Sequence, residues 1–341
     1  MRALFPLSLA IAACATAASG QIGEPSPDPA VPDALADMIA LDRDRYERLT
    51  VPVTVDGAGP FRFFIDTGAQ ATVVTDRVTD ALGLQANGAA TLVAMGSSRI
   101  VQTVDIDGLE FAERSFSGLT APLLKRAHLG ADGIIGLDSL QDLRVLIDFT
   151  NDRMAVEDAH AREDGETYDI IVRARRRLGQ MIITDARIDG VKVAVIVDTG
   201  AQNSVGNAAL FHRLRGRKKG RLPSKGAAPD RFPASVQGQG SEISSTDVNG
   251  VIVQSQIYTA REMKIGPLRL TEVPLGFHES PAFTALGLDE RPALILGMGN
   301  LRVFDRVAID FSTREVMFDL PDQTRIRGFM DFGARATRIR S

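Results

Sequence analysis

From Leu49 onward the apolar residues come in short runs, partly alternating with polar ones and broken by Gly and Asp-Gly. That pattern predicts strands joined by tight turns, hence an all-β protein rather than a bundle of amphipathic helices. Residues 51 to 70, VPVTVDGAGPFRFFIDTGAQ, read as a strand, a turn at Asp56-Gly57 and a second strand ending at Asp66. Residues 181 to 202, MIITDARIDGVKVAVIVDTGAQ, repeat the plan with a turn at Asp189-Gly190 and a strand ending at Asp198. The correspondence continues downstream. VDIDGLEFAE (104 to 113) is matched by EMKIGPLRLTE (262 to 272), and ADGIIGLDSLQDLRVLIDF (131 to 149) by ALILGMGNLRVFDRVAIDF (293 to 311). These matches, all in one order, indicate a tandem duplication of a β unit.

The repeat sets the expected organisation: a first lobe over residues 45–160, a second over 161–325 and a tail over 326–341. The halves differ in the middle, where the second carries the basic insertion HRLRGRKKGRLPSKGAAPDRF, residues 212 to 232, read as a solvated surface loop. Before the lobes, residues 21–44 open with QIGEPSPDPAVPD, a Pro-rich tether or propeptide. A short helix is expected around Ala34 to Leu41.

Residues 1–20 carry one Arg, an apolar stretch from Leu4 to Ala13 and then small residues, the anatomy of a signal peptide and too short to span a bilayer. The expectation is an exported protein. Cys14, the single cysteine, sits in Ile-Ala-Ala-Cys, which resembles the lipobox of bacterial lipoproteins. Two readings stay open: acylation of Cys14 with anchoring to the outer membrane, or cleavage after Ala18-Ser19-Gly20 to give a soluble periplasmic form. The position of the lone cysteine favours the first. Either way the folded part lacks a disulfide, and its stability rests on packing.

A net charge of -4 and the absence of Trp argue against a nucleic-acid partner. The four histidines show no metal-ligand spacing and read mostly as surface residues. No metal or cofactor is expected, and no serine-nucleophile elbow or P-loop is present in the sequence.

What remains is the repeated pentad Asp-Thr-Gly-Ala-Gln. An aspartate at the end of a buried strand is costly unless hydrogen-bonded or shared. Thr-Gly supplies a hydroxyl and a tight turn whose N–H groups can face the carboxylate. Two such loops related by a pseudo-two-fold axis would set Asp66 beside Asp198. Like charges so placed share one proton, so one carboxyl can act as base on a water while the other donates to a carbonyl oxygen.

On these motifs the chain resembles the two-domain, retropepsin-like aspartic peptidases of bacteria over about residues 45 to 320. The resemblance implies a bilobal acid-protease fold with the active site between the lobes. It also implies that Asp66 and Asp198 are the catalytic pair, that Thr67 and Thr199 brace the loops, and that Gly68 and Gly200 hold the turns. Ile134-Ile135-Gly136 and Ile295-Leu296-Gly297 match the family's ψ-shaped strand element, which brings in Ile135, Gly136, Leu296 and Gly297. Its Gly-rich covering hairpins find candidates in VAMGSSRIV (93 to 101, with Met95 and Gly96) and VQGQGSEISS (236 to 245, with Gly238 and Gly240).

The function expected is an aspartic endopeptidase acting on peptide or protein. Since one chain carries both loops, a monomer is expected to suffice. The alternatives are a catalytically silent peptide-binding module of the same fold and, less well supported, a glycosidase.

Overall fold

A computed structural model describes residues 50–151, 153–158, 167–177, 179–218, 242–321 and 335–338. The expected signal peptide with Cys14, the tether and its helix, Gly238 and Gly240, and residues 219–232 of the basic insertion lie outside the described residues.

The first half is built from β1 (Thr50–Val55), β2 (Ala58–Ile65), β3 (Val73–Thr75), α1 (Asp76–Leu82), β4 (Gly88–Val93), β5 (Ser98–Ile106), β6 (Leu109–Phe111), β7 (Arg114–Phe116), β8 (Leu119–Leu124), α2 (Arg126–Leu129), β9 (Gly133–Ile135), α3 (Leu137–Leu140), β10 (Leu143–Asp148) and β11 (Arg153–Asp158). The second half adds β12 (Ile170–Arg173), β13 (Arg175–Arg177), β14 (Gln180–Ile188), β15 (Val191–Val197), β16 (Val205–Gly206), α4 (Ala208–Lys218), β17 (Glu242–Thr246), β18 (Ile252–Ile265), β19 (Leu268–Phe277), α5 (Pro281–Ala285), β20 (Ala293–Leu296), α6 (Met298–Leu301), β21 (Arg306–Asp310), β22 (Glu315–Asp319) and β23 (Arg335–Arg338). The architecture is all-β and bilobal, with helices limited to short connections.

Alternation shapes the paired strands of each hairpin. In β2, Phe61, Phe63 and Ile65 point into the core while Arg62 points out; in β15, Val191, Val193, Val195 and Val197 are buried and Lys192 is exposed. The turns joining them are Asp-Gly pairs with both residues at positive φ, 47° and 76° at Asp56 and Gly57, 44° and 79° at Asp189 and Gly190. That geometry matches the right-handed twist of the flanking strands.

Each lobe folds into its own large sheet, ordered β4-β5-β8-β3-β9-β2-β1-β6-β7 in the first and β13-β14-β15-β20-β16-β19-β18-β17 in the second. Equivalent strands of the repeat occupy equivalent places: β9 runs parallel to β2 and β20 parallel to β15. A third sheet, β11-β10-β21-β22-β12, takes strands from both halves. Its central pair, β10 with β21, joins the repeated segments VLIDF and VAIDF to each other, with Leu146 opposite Ala308. The apolar core therefore runs on without a break from Phe63 and Val104 in one lobe through Ile147 and Ile309 to Phe277 in the other.

Two expectations need amending. Residues 212 to 218 of the basic insertion continue α4 rather than forming a loop, because the helix is anchored by Leu210, Phe211 and Leu214 in the core. Residues 335 to 338, expected within the tail, add a strand to β19.

Candidate active site

The strands β2 and β15 each deliver an aspartate to the same place. Asp66 and Asp198 are 1% and 0% exposed. Their backbones are fixed by the neighbouring parallel strand, Asp66 N–H donating to the Ile135 carbonyl (3.1 Å) and Asp198 N–H to that of Leu296 (3.0 Å). The turn that follows folds its amides back on the carboxylate. Oδ1 of Asp66 accepts from Gly68 N–H (2.7 Å) and Ala69 N–H (3.0 Å); Oδ1 of Asp198 accepts from Gly200 N–H (2.8 Å) and Ala201 N–H (3.0 Å).

The threonines tie one turn to the other. The Thr67 hydroxyl donates to the Val197 carbonyl (2.9 Å) and accepts from Thr199 N–H (3.1 Å). The Thr199 hydroxyl donates to the Ile65 carbonyl (2.7 Å) and accepts from Thr67 N–H (3.1 Å). Each hydroxyl thus satisfies a buried donor and a buried acceptor of the opposite lobe, which locks the two strand ends in register. The result is close approach. A Cβ on Gly68 would lie 2.3 Å from Oδ2 of Asp198, so only glycine fits against that carboxyl.

Behind the turns, Ile135-Gly136 and Leu296-Gly297 lie against the loop made by each Asp-Thr-Gly segment. Leu137 N–H donates to the Ala69 carbonyl and Met298 N–H to that of Ala201, both at 2.8 Å. Gly136 and Gly297 press on backbone: a Cβ would meet Ala71 at 2.4 Å and the Ala201 carbonyl oxygen at 2.6 Å. Their amides donate to Thr72 and Ser204 hydroxyls, at 3.2 and 3.0 Å. The halves differ one step further out. Asp138 accepts from Thr72 through both its N–H and its hydroxyl, at 2.8 and 2.7 Å, where the second half has Gly299 instead. Burial raises the Asp138 carboxyl above its ordinary range, and the Thr72 bonds oppose that rise.

The two central carboxyls cannot both be ionised cheaply. Oδ2 of Asp198 is buried and receives no N–H or hydroxyl donor among the described residues. A bond to Asp66 satisfies it only if a proton is held between them. Burial, then the adjacent charge of Asp66, pushes Asp198 well above the usual carboxylate range. The pair is therefore a site that keeps one proton where isolated carboxylates would hold none.

A hairpin of each lobe reaches the neighbourhood of the Asp-Thr-Gly turns, Met95 clustering with Ala201 and Val248 with Ala69. The first is the expected one: β4 and β5 flank a turn at Ala94 to Ser97, with Met95 and Gly96 at its tip. In the second lobe the expected stretch, 236 to 245, lies within the described residues only from 242. Residues 242 to 245 belong to β17, which pairs with β18, and the tip is the turn at Asp247 to Gly250. Asp247 Oδ1 accepts from Asn249 N–H and Val251 N–H, both at 2.9 Å, and Gly250 has φ 79°, so Asp-Val-Asn-Gly carries its own turn chemistry.

Four further residues contribute that their local sequence does not mark. Gln180, fully buried, reaches from β14 to donate to the Gly68 carbonyl (2.6 Å), bracing the first turn from the second lobe. Asp247 and Asn249 bond to Ser97 of the first hairpin. His278 is buried, unlike the surface position expected for most histidines, with Nδ1 at 2.9 Å from the Ser255 hydroxyl and Nε2 at 3.3 Å from the Met95 carbonyl.

Burial, only partly offset by the Met95 carbonyl, lowers His278 from 6.5 to about 4. The unfolded chain takes up this proton near pH 6.5 and the folded protein only near pH 4, so stability falls as pH drops through that window. The full effect is about 3 kcal/mol. Urea unfolding at both ends of the window should show the wild type losing about that much stability relative to His278→Gln as pH falls, since the raised carboxyls Asp138 and Asp198 contribute with the opposite sign to both proteins.

With the geometry established, the comparisons place the chain. Residues 51–142 match the family described as "gag-polyprotein putative aspartyl protease", and residues 184–299 match the family "Aspartyl protease". The two matched segments together cover more than half of the chain, which belongs to the retropepsin-like aspartyl proteases as a two-domain member. No curated protein sequence matches it. Among solved structures, a retropepsin-like aspartic protease from Rickettsia conorii is 20% identical, the match covering 49% of this chain and 92% of that one with a TM-score of 0.26. Basic 7S globulin from soybean is 11% identical over 82% of this chain and 96% of its own, TM-score 0.34. The structure of edgp is 10% identical over 80% and 94%, TM-score 0.36.

Proposed function

We propose that the protein is an aspartic endopeptidase of the cell envelope, in which a water molecule activated between Asp66 and Asp198 attacks a peptide carbonyl. The observation that carries this reading is the buried, symmetric carboxyl pair that must share a proton. With Oδ1 of each aspartate committed to backbone N–H groups, the facing oxygens are left to the reaction. The ionised carboxyl takes a proton from the water while the protonated one donates to the carbonyl oxygen. The tetrahedral intermediate then collapses as the amine leaves with a proton.

The turns supply no metal and no covalent nucleophile to this scheme; what they supply is position. Both loops belong to one chain, clamped by the threonine pairs and by β10 against β21, so the second aspartate arrives at high effective concentration and one chain completes the site.

Statine-type compounds, whose hydroxyl mimics the tetrahedral intermediate, should inhibit cleavage of a peptide, whereas metal chelators should leave it unchanged. Because Asp198 holds its proton above the ordinary 3.8, activity should persist above that pH and decline as the shared proton is lost. A pH profile of kcat with and without inhibitor checks both; inhibition by chelator alone would count against the reading.

A further inference from the structure

Gln180 lies fully buried at the start of β14, in the second lobe, yet its side chain serves the first. Gly179 before it takes φ 83°, and a Cβ there would lie 3.3 Å from the Leu137 side chain, so the chain enters β14 pressed against the segment that backs the first Asp-Thr-Gly turn. From that position Nε2 donates to the Gly68 carbonyl at 2.6 Å. A carbonyl only accepts, which fixes which end of the amide faces it. Oε1, at the other end, is buried and receives no donor among the described residues. A buried acceptor left without a donor is costly, and an apolar side chain of the same length would fill the space without that cost. The position therefore keeps its amide for what Nε2 does.

The effect of that bond reaches beyond the shape of the turn. The Gly68 carbonyl and the Ala69 N–H are two ends of one peptide group, and that N–H donates to Oδ1 of Asp66 at 3.0 Å, with a longer contact of 3.3 Å to the Asp66 carbonyl. A peptide whose oxygen accepts a hydrogen bond becomes a stronger donor through its nitrogen. Gln180, the Gly68–Ala69 peptide and Asp66 are thus links of one chain that ends on a carboxyl oxygen. A stronger donor there favours the ionised form of that carboxyl. Gly200, the counterpart of Gly68, is only half-buried, so the second turn is not enclosed as the first is.

We propose that Gln180 is a positioning residue that acts through the Gly68–Ala69 peptide to hold the negative charge of the pair on Asp66, which leaves the shared proton to Asp198. Asp66 is then the carboxylate that takes the proton of the water. Burial and the adjacent charge of Asp66 push the Asp198 carboxyl up, in the same direction. Among titratable and charged groups, Asp198 faces Asp66 from β15, Asp138 lies one step out on Thr72, and Arg177 of β13 stands opposite Gln180 in register. The role in turnover rests on the endopeptidase reading; the link from Gln180 to Asp66 does not.

Gln180→Met keeps the length and loses the donor, whereas Gln180→Glu, kept neutral by the same burial, still donates through its O–H. The link lowers the pH at which the pair takes up its second proton, so without it that uptake, and the loss of activity on the acid side, comes at higher pH. The acid limb of kcat should move up by about half a pH unit in Gln180→Met, with KM little changed, and stay in place in Gln180→Glu. A second measurement needs no activity. Urea unfolding near neutral pH gives the cost of Gln180→Met in the wild type, in Asp66→Asn and in Asp198→Asn. The cost in the wild type should match that in Asp198→Asn, where Asp66 carries the only charge of the pair. In Asp66→Asn it should be about threefold smaller, read in the unfolding equilibrium constant. If Gln180→Met does not fold, Gln180→Asn, whose donor is withdrawn by one methylene, replaces it in both measurements.

An equal cost in all three backgrounds would overturn the link and reduce Gln180 to a brace. A wild-type cost matching Asp66→Asn would also overturn it, by placing the charge on Asp198. So would an acid limb unmoved by Gln180→Met, or moved as far by Gln180→Glu. If the wild type cleaves nothing, the endopeptidase reading fails, and the three stability costs still decide whether Gln180 acts on Asp66.

Discussion

Asp198→Asn and Asp66→Asn should each reduce peptide turnover at least about a thousandfold while leaving the fold intact. The shared-proton cycle needs one ionised and one protonated carboxyl, and an amide can be neither. The fold survives because Asn keeps the Oδ1 acceptor used by the turn amides, Gly200 and Ala201 in one case, Gly68 and Ala69 in the other. Asn at 198 also brings its own donor toward Asp66 and removes a like charge, relieving the repulsion that raises Asp198. Thermal unfolding near neutral pH should therefore show Asp198→Asn at least as stable as the wild type. Steady-state kcat beside a melting curve separates lost chemistry from lost structure.

Thr199→Val should instead damage the fold. Valine has the shape of threonine but neither donates nor accepts, so Thr67 N–H and the Ile65 carbonyl would both be left buried without their bonds. Each such group costs about 1–3 kcal/mol, giving a loss on the order of 2–6 kcal/mol. Thr67→Val removes the mirror-image bonds to Thr199 N–H and the Val197 carbonyl and should cost a similar amount. Because the groups form one ring of bonds, the double variant should cost less than the sum of the two. Chemical denaturation of the three proteins checks this; a neutral Thr199→Val would show that the bridge contributes little.

These two results depend on features that the sequence displays openly. The turn at Asp66-Thr67-Gly68 and its repeat, the Asp-Gly hairpins and the strands ending at Gly136 and Gly297 are all specified within a few residues, by alternation and by glycine where backbone must approach. The duplication then supplies the pairing of the halves.

Features that depend on contact across the lobes were much less legible. VLIDF and VAIDF read as strands, yet nothing local shows that β10 and β21 choose each other. Gln180 reads as an ordinary polar residue at a strand start, because its partner lies 112 positions earlier. Gly238 and Gly240, the Gly-rich candidates for the second hairpin, lie outside the described residues. Asp-Val-Asn-Gly, a few residues on, forms the tip through side-chain bonds that composition alone does not rank above them. The buried His278 finds one of its partners, the Met95 carbonyl, 183 positions earlier in the first hairpin.

In the function proposed, everything turns on whether the paired carboxyls hydrolyse peptide bonds. The most direct test is to incubate the purified protein with a diverse peptide mixture from acid to neutral pH and identify new termini by mass spectrometry, with Asp198→Asn in parallel. The wild type should make internal cleavages, blocked by a statine-type inhibitor and absent from the Asn variant. Peptides bound but left intact at every pH, or the same cleavages from both proteins, would contradict that function.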